Sequence, residues 1–440
     1  MSDLIYPTLD LFLYSLKSSL NATQEEIQKN KAAFLVQLPS STQFEDTDIE
    51  TEYLELTHPA QINFKLNNET LEGYYYPVRL NDTYGLQIDC SVNNLTEPQP
   101  AEYLAVLKTE IDHKLNKELV TIGQTWMLSG WLPENSYQNP EDVAKDCYCT
   151  LFKDTSWQPE TGSFLDGKIF ELWHSENLNQ SLEKINNPLS RNEHHVIIAI
   201  YPNQESAEKA AEFYTDWMGL FCYRSKVAWA YWQSRLVKEY LSNHYQKIEE
   251  NRKLINQSDY WYEKQNFATS RKILTNINAV LQQYTIDLLN LSFQQKNIEI
   301  NLSNYQSRSA LIKERAGQNN QLDFLDKFSD LAQKKYLPQV TKDIENMQLG
   351  LQLLENTINA IRSRIEVEKS ERDRKFKELV AVAGSGIATV SLLKDSGKGC
   401  TEDFILQKVP LNYCKNYFSY SIVLGIIVGL GVWRLRKRLL

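Results

Sequence analysis

Apolar residues recur at alternating spacings of three and four from Leu337 through Val340, Ile344, Met347, Leu351, Leu354, Ile358 and Ile361 to Ile365. That is a heptad seam, and it predicts a long helix with one buried face. Extended from about residue 340 to 393, this helix would be roughly 80 Å long. Pro338 suits its first turn or a kink. A second seam runs Leu274, Ile277, Leu281, Tyr284, Leu288, Leu291, Ile298, Leu302, Tyr305 and Ile312, with Gln295 and Ser309 at the skipped positions. It stops at Ala316-Gly-Gln-Asn-Asn320, where the glycine supplies a helix end. A third helix is expected from Glu205 to about Asn256, capped by Pro202-Asn203. Its aromatics, among them Phe213, Trp217, Phe221 and Trp229, read as helix packing rather than a ligand site.

The region before residue 203 has mixed periodicity. Strands are expected at Gln61–Lys65, Leu71–Val78, Tyr84–Cys90, Thr121–Leu128, Lys168–Leu172 and His195–Ile200, the last a fully apolar buried run. Helices are expected at Ala101–Asn116 and Pro140–Phe152. The fold class is therefore an α+β or α/β N-terminal domain, then long coiled-coil helices.

Two uncharged apolar runs follow, Leu379–Leu393 and Tyr417–Trp433. They predict a C-terminal two-helix transmembrane hairpin. At 1.5 Å per residue they span roughly 22 and 25 Å, against about 30 Å of hydrocarbon. Lys377 and Arg434 can snorkel across part of the difference. Basic residues at Lys369–Lys377 and at Arg434, Arg436, Lys437 and Arg438 flank the hairpin, so both chain ends are expected on the cytoplasmic side of an inner, plasma membrane. The expected segments are 1–203, 204–320, 321–378, 379–393, 394–416 (an outer loop), 417–433 and a basic tail at 434–440. In the first run Ser385 and Thr389 share a face, which suits close helix packing or a narrow watery path. In the second, Gly425-Ile-Ile-Val-Gly429 is a packing signal common by chance.

Charge adds a constraint. The chain of 440 residues carries a net charge of -9. An acidic body argues against a nucleic-acid partner, which wants a basic face. The opening Met1-Ser-Asp-Leu-Ile-Tyr6 lacks the basic start and apolar core of a signal peptide, so the N-terminal body is expected to stay cytoplasmic. Cys90, Cys147, Cys149 and Cys222 are then expected reduced, and Cys147-Tyr-Cys149 reads as buried thiol rather than a zinc pair. Cys400 and Cys414, facing an oxidising compartment, could form a disulfide.

Catalytic motifs are missing: the sequence has no GxSxG, HExxH, Walker A or dinucleotide glycine run, and no enzyme is expected. Ser396-Gly-Lys-Gly399 resembles only the end of a P-loop. His174, His194 and His195 read as structural or surface residues more readily than as ligands. The acidic run Glu45, Asp46, Asp48, Glu50, Glu52 and Glu55 offers oxygen ligands to a divalent cation, with Asp46, Asp48 and Glu50 at its centre. A solvated acidic loop is the plainer reading.

The order of parts resembles the CorA family of divalent-cation channels: an N-terminal α/β domain, long helices, a stalk helix entering a first apolar run, a loop, a second run and a basic tail. The resemblance is architectural over the whole chain and strongest from about Glu205 onward. It implies a homo-oligomer, a pentamer, in the lipid bilayer, with Leu379–Leu393 lining a pore and Mg2+ or another divalent cation as ligand and cargo. Ser385 and Thr389 would line the path and Asp395 would sit near its outer mouth. The family's Gly-Met-Asn motif after the first membrane helix has no counterpart in Leu392–Cys400. Two further readings stand beside the channel. One is a membrane-perturbing effector of a prokaryotic conflict or antiviral system, triggered by a small molecule or protein that the N-terminal body senses. The other is an anchored coiled-coil scaffold.

Overall fold

The computed structural model describes residues 2–19, 22–47, 51–65, 70–115, 121–134, 136–153, 156–173, 195–257 and 266–367. The described chain forms two compact units, each discontinuous in sequence: Met1–Gln233 with Gln294–Gln339, and Ser234–Phe293 with Val340–Leu440.

The first unit is built on a ten-stranded mixed sheet. Its strands are β1 (Asp3–Leu16), β2 (Leu54–Glu55), β3 (Ile62–Lys65), β4 (Leu71–Leu80), β5 (Thr83–Val92), β6 (Gln99–Pro100), β7 (Gly123–Trp131), β8 (Glu160–Phe164), β9 (Gly167–Trp173) and β10 (His195–Tyr201). The spatial order is β2-β4-β5-β1-β7-β10-β9-β8, with β3 beside β4 and β6 beside β1. Among the described residues only β7 and β10 pair in parallel, and the other pairings are antiparallel.

The central strand β1 is not among the strands expected from the sequence. The reason is double-sided burial. Leu9, Leu11 and Leu13 fill one face while Phe12 and Tyr14 fill the other, so apolar residues run together and the period-two signal weakens. Pro7 adds a false stop signal. The helix α1 (Gln24–Leu35) was also unforeseen, although Thr23 and Glu26 form a capping box at its start. α2 (Tyr103–Lys114) and α3 (Pro140–Phe152) fall where expected. These three helices cover one face of the sheet. Phe34, Leu104, Leu107, Ile111, Val143 and Tyr148 join Leu9, Ile88, Leu128 and Ile198 in a single buried cluster. Burying such a side chain contributes roughly 1.5–3 kcal/mol.

The opposite face is covered by the aromatic helix. It is two helices, not one: α4 (Gln204–Ala211) and α5 (Tyr214–Gln257). Asn203 does cap the first, its side chain accepting from the Ser206 amide at 3.0 Å. α5 packs by its aromatics. Phe221 meets Phe12 edge-on with centroids 5.2 Å apart, and the Tyr14 hydroxyl donates to the Met218 carbonyl at 2.8 Å.

α6 (Asn266–Ala316) confirms the second seam: Leu274, Ile277, Leu281, Tyr284, Leu288, Leu291, Ile298, Leu302, Tyr305 and Ile312 are all buried. It ends at Gly317, whose φ of +87° only glycine adopts without strain. α7 (Phe324–Leu331) leads through one π-helical turn, Ala332–Tyr336, into α8 (Leu337–Val367). Pro338 lies just beyond that turn. Its ring would clash with the Lys334 carbonyl in a regular α-helix, and the wider turn relieves the crowding.

In the second unit the described helices bury Leu236, Leu241, Leu281, Leu288, Val340, Ile344, Leu354 and Ile358. The Tyr284 hydroxyl donates to the Met347 carbonyl at 2.8 Å. Gly350 makes room for it, because a Cβ there would lie 2.7 Å from that oxygen. Tyr284→Phe is expected to destabilise this unit by about 1 kcal/mol, the net value of one such bond, measured by amide exchange along α6 and α8. Among the described residues no helix is long and apolar enough to cross a membrane. The runs Leu379–Leu393 and Tyr417–Trp433 lie outside them.

Candidate functional site

The face of the sheet under α4 and α5 carries polar residues where a core would be apolar. The register sets Tyr74 of β4, Asp89 of β5, Asp10 of β1 and Met127 of β7 in one row. Asp10 and Asp89 are therefore directly opposed on antiparallel strands, and both are buried. Like charges so placed repel, and both are cut off from water. The carboxyls answer by hydrogen-bonding each other and keeping a proton. Burial pushes Asp10 up to about 6, against lowering by the hydrogen bonds from Gln87, Tyr214 and Asp89. Burial, then the Asp10 charge, raises Asp89 well above the carboxylate range.

The supports of this pair are specific. Gln87 Nε2 donates to Asp10 Oδ1 at 2.8 Å and to the Tyr74 hydroxyl at 3.0 Å. The Tyr214 hydroxyl donates to Asp10 Oδ2 at 2.8 Å. The pair lies beneath a cleft of about 800 Å³ that Asp89, Tyr74, Tyr76, Gln87 and Tyr214 help to line. Tyr6 forms another wall. It sits at an irregularity in the β1–β7 pairing with φ 48°, a left-handed conformation rare for tyrosine, and stacks on Trp131 with centroids 5.7 Å apart. Its hydroxyl donates to Glu72 at 2.8 Å. The cleft can hold a proton, accept hydrogen bonds from a ligand, or pair with a positive charge. Carboxyls in contact leave no room for the substrate bond that two-carboxylate glycoside hydrolysis places between groups at least about 5 Å apart.

Beside it lies a second buried polar group. His195 Nδ1 meets the Thr125 hydroxyl at 2.7 Å and Nε2 meets Glu171 at 2.9 Å. Burial and the Arg224 charge push the imidazole down to about 4, against the pull of Glu171, so it is neutral at pH 7. Arg224 stacks on Phe328 and Trp173 and offsets the Glu171 charge. Both ring nitrogens of His195 are held, which makes this a structural network.

The acidic run is scattered by the fold. Asp46 turns inward: it pairs with Lys17 at 2.9 Å and Arg79 at 2.5 Å and accepts from Tyr84 at 2.8 Å. Burial would raise its pKa, but these hydrogen bonds and the Lys17 charge win and hold it below the ordinary value. Glu52 pairs with Arg308 at 3.0 Å, and Glu55 accepts from Tyr76 at 3.0 Å at the cleft. Asp48 and Glu50 lie outside the described residues, as do Ser385, Thr389, Asp395, Cys400, Cys414, His174 and His194. Cys147 is buried, its thiol pushed up to about 12 by burial, and Cys149 is half-buried. Among the described residues no three His, Cys, Asp or Glu side chains gather as a metal site.

Neither Asp10 nor Asp89 was singled out from the sequence. A signal was there: Leu9-Asp-Leu11 and Ile88-Asp-Cys90 each place one acid between residues of a buried strand. Comparisons with protein-family models, curated proteins and solved structures find no match to the chain.

Proposed function

We propose that the chain is a CorA-like oligomeric membrane channel or transporter for cations, gated by its N-terminal unit. The observation that carries this reading is the helical run from Phe324 to Val367, buried along one stripe as far as Ile358. In sequence it ends twelve residues before the uncharged run Leu379–Leu393. A stalk helix entering a pore helix has this order of parts. In this reading Ser385 and Thr389 line the path, Asp395 stands at its outer mouth, Mg2+ or another divalent cation is the cargo, and both chain ends are cytoplasmic. The test is planar-bilayer conductance of the detergent-extracted protein with and without millimolar magnesium. Discrete, magnesium-sensitive currents are expected, and replacing both Ser385 and Thr389 with leucine is expected to abolish them. Unchanged flux in that double variant would sink the pore assignment.

A triggered membrane-perturbing effector is the second reading. Two observations favour it: Leu392–Cys400 lacks Gly-Met-Asn, and the described N-terminal unit has a roomy cleft rather than a cluster of metal ligands. Growth arrest with depolarisation on triggering, in place of steady cation uptake, distinguishes it.

A further inference from the structure

The lining of the cleft over Asp10 and Asp89 is chemically one-sided. Glu55, Asp89, Glu208 and Glu212 contribute four carboxyl groups, and among the described residues no lysine, arginine or histidine lines it. Six aromatic residues wall it: Tyr6, Tyr74, Tyr76, Trp131, Tyr201 and Tyr214. Buried acid that no neighbouring cation offsets is costly, and the charges acting on Asp89 are those of Asp10 and Glu72. Aromatic faces offer a ligand cation a further attraction.

We propose that this cleft binds a small organic cation, an amine or quaternary ammonium, with its positive charge on the Asp10–Asp89 pair and its body among the tyrosines. The volume of about 800 Å³ suits a small molecule. A bare divalent cation wants six or more oxygen ligands drawn tightly around it, and this wide aromatic space does not provide them. A nucleotide or other phosphate would face carboxyls with no basic group to meet it. The inference deepens the gating proposal by naming what the N-terminal unit senses. Binding is read without ion flux, so the two can fail separately.

When the ammonium settles on Asp89, the proton held by the pair passes to the buffer. The groups facing the pair are Gln87 of β5, Tyr74 and Glu72 of β4, Met127 of β7 and Tyr214 of α5. None of these is a base suited to take the proton at neutral pH.

The experiment is titration calorimetry of the full chain in dodecyl maltoside, in two buffers of different ionisation enthalpy. The probes are choline, putrescine, the neutral choline isostere 3,3-dimethylbutan-1-ol, ATP and MgCl2. At least one of the two cations is expected to bind, with proton release, and choline about ten-fold or more tighter than its neutral isostere. Asp89→Asn is expected to weaken cation binding by about ten-fold and to abolish proton release. Glu55→Gln, a milder change at the cleft wall, is expected to weaken it several-fold and leave proton release intact. Binding of the isostere equal to that of choline, saturable binding of ATP in place of the cations, or no heat from either cation would each overturn the proposal.

Discussion

Replacing Arg79 with alanine is expected to cost the N-terminal unit about 3–5 kcal/mol, the loss typical when one partner leaves a buried ion pair. Arg79 and Asp46 are each only 4% exposed at the side chain and sit 2.5 Å apart. The guanidinium also donates to the Thr47 carbonyl and so ties the loop before β2 to the sheet. With Arg79 gone, Lys17 and Tyr84 remain on Asp46, but the carboxylate loses its most buried cation. Amide exchange along β4 and β5 measures the loss, with protection falling by about two to three and a half orders of magnitude at about 1.4 kcal/mol per decade. A loss under 1 kcal/mol would mean that the pair is dispensable. The pair also sets an acid limit. Because Asp46 is held below its ordinary pKa, it contributes stability above the carboxylate range, and this is lost as pH falls through the lowered value.

Asp89→Asn is expected to stabilise the same unit at pH 8. The sign follows from the direction of the shift. Burial, then the Asp10 charge, holds folded Asp89 well above the carboxylate range. Above the ordinary carboxylate value the folded chain therefore binds more protons than the unfolded chain, so wild-type stability falls as pH rises from about 4. Asparagine at 89 does not titrate, so it removes that group's share of the fall and still offers Asp10 an N–H donor. The difference in unfolding free energy between variant and wild type should be near zero at about pH 4 and grow in the variant's favour as pH rises to about 8. It isolates the pair from His195, whose lowered pKa makes the fold lose stability from about pH 6.5 down to about 4 in both proteins. A variant less stable than wild type at pH 8 would show that the second carboxyl contributes more as a hydrogen-bond partner than it costs as a buried acid. The gain would also make any loss of ligand binding in this variant attributable to the site rather than to unfolding.

How legible each part was depends on how local its cause is. The α6 seam can be read from Leu274 to Ile312 because one helix face needs only spacing. The stop at Gly317 needs only glycine's conformational freedom. β4, β5 and β10 show in the sequence because one face alternates or the whole run is apolar. By itself the sequence determined the long helices, most of the strands, an acidic chain without catalytic motifs, and two uncharged C-terminal runs.

Tertiary structure decided the rest. β1 became the central strand because helices cover both of its faces, a condition that lies in α1, α2 and α5 rather than in β1. Asp46 looked like a free acid until Arg79 and Lys17 were folded against it. The carboxyl pair needs a register that sets Asp10 against Asp89 across two strands, and its cleft draws Tyr6, Tyr74, Tyr201 and Tyr214 from four separate segments. No spacing along the chain encodes that meeting, because it depends on which strands neighbour each other and which helix closes over them.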